Sequence, residues 1–216
     1  TARTVDKDGT IESPPKSLTI SINKQYANVT VHDDTGGTVE NAVQQVRIDV
    51  PVGALPTSSA SIIVEPSQQS FAPQVYGDST PIGQPYDFGP IGMQFETAVN
   101  VTMPSDCSDE GRFWYQCIGE YIDGQWSCVV QCDWDNDPPS ADRPWCEEID
   151  VTPSGCVTSS DCGGKGYCNA GTCTPRKNYY DLANCRLTAE VTHFSLYQVL
   201  QQTRGCTIAI TEEGNH

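Results

Sequence analysis

The chain carries its apolar residues in short alternating runs, not in helical periods. Leu18, Ile20 and Ile22 alternate with Thr19 and Ser21. The same period-two pattern predicts strands over residues 18–22, 27–32, 46–50, 61–65, 98–103, 112–119, 125–130 and 191–201. Asp123-Gly124, set between two aromatic-rich runs, predicts a tight hairpin. No long 3.6-residue period interrupts these strands, and the 15 prolines and 18 glycines scattered through the chain oppose helices. The expected fold is all-β: a two-sheet antiparallel sandwich, Greek-key or jelly-roll-like, formed by residues 18–131 and 186–206. An extended N-terminal tail or linker over 1–17, a cysteine-rich insertion over 132–185 and a C-terminal tail over 207–216 complete the layout.

Cysteine sharpens this picture, because all 11 fall between Cys107 and Cys206 and the first 106 residues have none. They are Cys107, Cys117, Cys128, Cys132, Cys146, Cys156, Cys162, Cys168, Cys173, Cys185 and Cys206. Such a density predicts a disulfide framework made in an oxidising compartment. A zinc site is the alternative, yet the successive gaps are mostly longer than zinc-ligand pairs use; Cys128 and Cys132 have such a spacing, but no nearby histidine completes a site. The odd count leaves one cysteine unpaired or joined to another chain. Four of them, with interspersed glycines, lie between Cys156 and Cys173. That stretch cannot bury an apolar core and is expected to hold its shape by cross-links. It loosely resembles the small knot-like and growth-factor-like modules of extracellular proteins.

Asn28-Val29-Thr30 and Asn100-Val101-Thr102 are N-glycosylation acceptors. On the predicted strands each asparagine faces solvent while the neighbouring valines face the core. Together with the cysteines, they predict an extracellular or cell-surface protein bearing glycans on Asn28 and Asn100. No signal peptide precedes Thr1, so a processed N-terminus is expected. No apolar run approaches the ~18 residues of a membrane span, so no membrane insertion is expected. The net charge of −16 argues against nucleic acid, whose phosphates need a basic surface.

Asp133, Asp135 and Asp137 repeat the opening of a calcium loop, in which alternating oxygens converge on one cation. Pro138 stands where that loop wants glycine, and no closing glutamate follows, so calcium competes with a plain acidic loop; no other cofactor is expected. Trp114 and Trp126 read as core or cross-strand partners, whereas Trp134 and Trp145 leave a sugar-binding platform open. The three histidines, His32, His193 and His216, lie in no nucleophile motif of a conventional hydrolase.

Two further stretches are more specific. The run Val46-Arg47-Ile48-Asp49-Val50-Pro51-Val52-Gly53-Ala54-Leu55 follows Gly36-Gly37-Thr38-Val39, and Phe88-Gly89-Pro90-Ile91-Gly92-Met93-Gln94-Phe95 leads into the alternating strand ending at Met103-Pro104. Together with Val191 to Leu200, these resemble the ZU-five domain, a β-sandwich module named for zonula occludens and netrin-receptor proteins. In domains similar to it, a His-Phe-Ser tripeptide breaks its own backbone. The resemblance therefore implies His193 as general base, Phe194 as the residue before the cut and Ser195 as nucleophile, with backbone strain at the scissile bond raising the ground state. Receptor autoproteolysis modules have a related layout, which Phe113-Trp114, Gly124-Gln125-Trp126-Ser127-Cys128, Cys185 and His193 partly echo. The plain alternative puts His193 and Ser195 on one face of a continuous strand and Phe194 on the other.

The sequence therefore predicts a non-enzymatic extracellular module for assembly or adhesion, with protein partners that include copies of itself. A filament or surface coat joined by strand or tail exchange fits that prediction. A self-cleaving receptor module and a lectin-like carbohydrate-binding domain are the alternatives.

Overall fold

The computed structural model describes residues 26–67, 79–122, 124–134, 136–149, 151, 155–162 and 165–202. The strand expected at 18–22 and both tails lie outside the described residues.

Fourteen strands occur among the described residues, twelve of them in two six-stranded antiparallel sheets. In chain order they are β1 (Ala27–His32), β2 (Gly37–Asn41), β3 (Val46–Val50), β4 (Ser59–Pro66), β5 (Ser79–Gly89), β6 (Gln94–Pro104), β7 (Gln116–Ile122), β8 (Gln125–Cys128), β9 (Trp145–Glu147), β10 (Gly166–Asn169), β11 (Thr172–Pro175), β12 (Lys177–Asp181), β13 (Arg186–His193) and β14 (Leu196–Gln202). The first sheet runs β1-β4-β5-β14-β7-β8 and the second β2-β3-β6-β13-β12-β9, while β10 and β11 pair alone. The predicted all-β sandwich is what the chain forms.

The alternation seen in sequence is the burial pattern of the strands. Val46, Ile48 and Val50 are buried while Arg47 and Asp49 look outward and pair with each other. On β6, Phe95, Val99, Val101 and Met103 point inward. One core fills the space between the sheets, with Ile62, Phe88, Ile118, Leu187, Phe194 and Tyr197 among its fully buried residues. At roughly 1.5–3 kcal/mol per buried large side chain, this interleaved layer dominates the favourable side of folding. Asp33 ties β1 to the turn after β3: its carboxylate accepts the Leu55 N–H at 2.9 Å and its carbonyl accepts the Gly53 N–H at 2.9 Å. Gly53 lies at φ +74, which explains the glycine there.

Three local expectations change. The run at 112–119 begins as a short helical turn, α1 (Glu110–Phe113), because the Asp109 side chain caps it by accepting the Arg112 N–H; the strand starts only at Gln116. The single strand expected at 191–201 is two strands in different sheets, broken at Phe194-Ser195. The 132–185 insertion is only partly separate, since β9 and β12 extend the second sheet and leave the β10–β11 hairpin as the strand pair outside both large sheets.

Five bridges staple this frame: Cys107–Cys185, Cys117–Cys128, Cys132–Cys146, Cys156–Cys168 and Cys162–Cys173. The last two clamp the β10–β11 hairpin to the preceding segment, at Cys156 and at Cys162 in the 3-10 turn Ser159–Cys162. The other ten being paired, Cys206 has no cysteine left to join within the chain; it lies outside the described residues.

Candidate functional site

The connection between β13 and β14 carries the predicted tripeptide. β13 lies between β6 and β12, β14 between β5 and β7, so the two-residue link Phe194-Ser195 crosses from the middle of one sheet to the middle of the other. His193 and Ser195 therefore flank a corner, not a strand face, and both are half-buried. Phe194, 1% exposed, turns into the core between the sheets. Its ring meets Phe95 edge-on at 4.7 Å between centroids and Phe88 at 6.2 Å. This aromatic plug fixes the corner from within.

Hydrogen bonds fix it from outside. The Phe194 N–H donates to the Met93 carbonyl and the Phe194 carbonyl accepts from the Gly92 N–H, both at 2.9 Å. Gly92, at φ +78, ends the turn that begins at the cis Gly89–Pro90 bond, and the Met93 N–H donates back to the Pro90 carbonyl at 3.1 Å. The glycine-proline motif singled out in sequence is thus the loop that grips Phe194. None of His193, Phe194 and Ser195 has a positive φ, so the strain expected at this link is not found in that dihedral.

The His193 ring is held by a residue that no sequence pattern pointed to. Its Nε2 meets Oε1 of Glu120, which β7 carries from the opposite sheet. Glu120 is 4% exposed, so its carboxylate would be costly to bury without that partner. The Tyr197 hydroxyl, fully buried, donates to the His193 carbonyl at 2.5 Å; burial pushes that phenol well above its ordinary range. Beside the pair opens a cavity of about 260 Å³, lined by Glu120, Glu148, Lys165, Arg176 and His193 among others. Glu148 and Arg176 are themselves an ion pair at 3.3 Å, both nearly buried. Burial raises the Glu148 carboxyl above its usual range, against the pull of the Gln131 N–H and Arg176.

The other predicted sites are dispersed. The Asp133 carboxylate accepts from the Asn136 backbone and side chain at 3.0 Å, and Asp137 pairs with Arg143. Asp135 lies outside the described residues, so the calcium loop is represented by two carboxylates already engaged within the protein. The sulfurs of Cys156, Cys162 and Cys173 converge within 4.8 Å of one another, yet they belong to two bridges. Asn28 is exposed and accepts from the Ser61 hydroxyl at 2.6 Å; Asn100, on a central strand, is half-buried. Val29 differs from expectation: it is 41% exposed because β1 is the outermost strand of its sheet.

Trp126 faces Tyr121 across the β7–β8 pair at 5.2 Å, as a cross-strand partner should. Trp134 donates its indole N–H to the Trp114 carbonyl at 3.2 Å and packs against the core. Arg143 and Lys177 both approach the Trp145 ring, at 5.1 and 5.0 Å. His32 is exposed, and His216 lies outside the described residues.

Five bridges are consistent with an extracellular protein. Among the described residues no helix is long and apolar enough to cross a membrane. Among known proteins, no family model matches this chain and no curated sequence matches it at a significant level.

Proposed function

We propose that this chain is a disulfide-stapled extracellular module that cuts its own backbone between Phe194 and Ser195 and keeps the two pieces together through β14. The observation that carries this reading is the double grip at the corner: Glu120 on the His193 ring and the Gly92 N–H on the Phe194 carbonyl. The resemblance to ZU-five and receptor autoproteolysis modules supports it, since the tripeptide falls at the link between β13 and β14, the last two strands among the described residues.

The chemistry is an acyl shift. Ser195 Oγ attacks the Phe194 carbonyl carbon while His193 accepts the hydroxyl proton. The carbonyl oxygen becomes an oxyanion, and the Gly92 N–H already points at it; one such donor is worth on the order of 3 kcal/mol of barrier. Collapse breaks the C–N bond, the proton passes from His193 to the departing Ser195 amine, and an ester joins Phe194 to Ser195 Oγ. Water then hydrolyses that ester, leaving a carboxylate on Phe194 and the free hydroxyl on Ser195.

All five bridges close before residue 194, so none ties residues 195–216 to the rest. A denaturing gel without reductant should therefore already release that piece, and Ser195→Ala should restore one band. Intact-mass measurement showing only the uncut chain after prolonged incubation would remove the proposal.

A second reading, an uncut module for assembly or adhesion, is favoured by a different region. An open groove of about 710 Å³ lies beside β1 and the β2–β3 turn, with Tyr26, Val29 and Val43 exposed along it. An outermost strand beside an open groove of mixed polarity suits strand addition from another copy. Sedimentation at rising concentration tests this: a monomer throughout counts against it.

A further inference from the structure

The carboxylate that faces His193 has no role in the tripeptide chemistry as the sequence motif alone describes it. Glu120 sits on β7, between β14 and the outermost strand β8 of the first sheet, its backbone paired with Tyr197 of β14 on one side and Ser127 of β8 on the other. Alternation along β7 puts Gln116, Ile118 and Glu120 on one face, and that face looks toward the second sheet. A glutamate at such a position is costly unless an opposing group meets it. His193, the last residue of β13 in the other sheet, is that group.

We infer that Glu120 is a positioning residue for self-cleavage: it holds the His193 ring by Nε2, so that Nδ1 is the nitrogen left to take the Ser195 proton. This rests on the self-cleavage reading. The carboxylate selects one tautomer and stabilises the imidazolium that forms as the hydroxyl proton leaves, as a buried acid does for the histidine of a hydrolytic triad. Tyr197 fixes the backbone of the same residue through its carbonyl, so ring and main chain are held independently. The other charged groups around the cavity do not replace Glu120. Arg176 and Glu148 pair with each other, and Lys165 stands near Glu148.

The test uses the whole chain made by cell-free synthesis, with aliquots moved into buffers from about pH 5 to pH 9 and cutting followed by intact mass. Glu120→Gln keeps the size and loses the charge. Its cleavage should slow by at least about 100-fold, because the corresponding amide substitution in a serine-protease triad costs roughly 10⁴-fold. Its rate is compared with that of the parent across that whole pH range. Glu120→Asp keeps the charge and should recover an intermediate rate with the profile of the parent. Five intact bridges and an unchanged melting transition establish that each variant is folded; if Glu120→Gln fails this, the parent-to-Glu120→Asp comparison decides alone, and an unaltered rate there overturns the inference. Parent cutting, Ser195→Ala uncut and Glu120→Gln cutting at the parental rate and profile would overturn the inference while leaving self-cleavage intact. A parent that never cuts removes both.

Discussion

The Cys107–Cys185 bridge makes the largest loop in the molecule, and its removal should be the most costly of the five. It joins the chain just after β6 to the residue just before β13, two strands that are neighbours in the second sheet, and the Ser105 N–H donates to the Cys185 carbonyl at 3.0 Å beside it. The bridged residues are 78 apart in sequence. A loop of that length restricts the unfolded chain by about 4.5 kcal/mol in the chain-entropy account. The four smaller bridges all lie inside the loop and shorten its free contour by roughly half, which lowers the figure by only about 0.6 kcal/mol because the dependence is logarithmic. Replacing both cysteines by alanine should therefore cost about 4 kcal/mol. Cys185 lies at φ 56, and alanine meets the same backbone penalty there, so the substitution isolates the bridge. For a domain of this size the melting midpoint should fall by about 8–16 °C, measured by calorimetry on protein whose other four bridges are verified by mass. A fall of less than about 1 kcal/mol would refute the reasoning, and would mean that residual structure in the unfolded chain already holds β6 and β13 together.

Phe194→Ala should destabilise the protein by about 3–5 kcal/mol by opening a void between Phe88 and Phe95, read from chemical denaturation. Gly119→Ala places a methyl 2.3 Å from a terminal carbon of Leu200, a fully buried side chain on the neighbouring strand, and should cost about 1–3 kcal/mol; Leu200→Ala in the same chain should cost less than the two changes added separately. Glu190, half-buried, has its carboxyl raised by burial, so its folded form favours the proton more than its unfolded form does. The stability tied to that proton is complete below the unfolded carboxyl range and is lost as pH rises through the raised value. Glu190→Gln should therefore stabilise the protein at neutral pH and lose that advantage near pH ~4; an advantage that grows on acidification would contradict it. Glu148→Ala should cost about 3–5 kcal/mol by leaving Arg176 buried without its partner, with Glu148→Ala/Arg176→Met recovering much of the loss.

What could be read in advance divides along one physical line. Alternation marks which residues of a run share a face, so the strands around Ile48 and Val101 and the β7–β8 hairpin at Gly124 were legible at once. Turn chemistry was legible for the same reason: Pro51 to Leu55 and Gly89 to Gly92 carry their geometry in a few adjacent residues. Lys177 to Asp181 was harder to find, because the asparagine and tyrosines of β12 find their place only against β13 and β9.

The sequence by itself determined the strand-rich class, the oxidised cysteine framework and the tripeptide that marks the corner, because each is written in local period, composition or a short motif. Only the tertiary structure decided which cysteines pair, that the run through Phe194 changes sheets, and that Glu120 meets His193 across 73 positions of chain. Period-two patterning says which way a side chain points but not which sheet it belongs to. The partner that makes a buried carboxylate affordable comes from whichever distant strand the packing of the whole core brings opposite it.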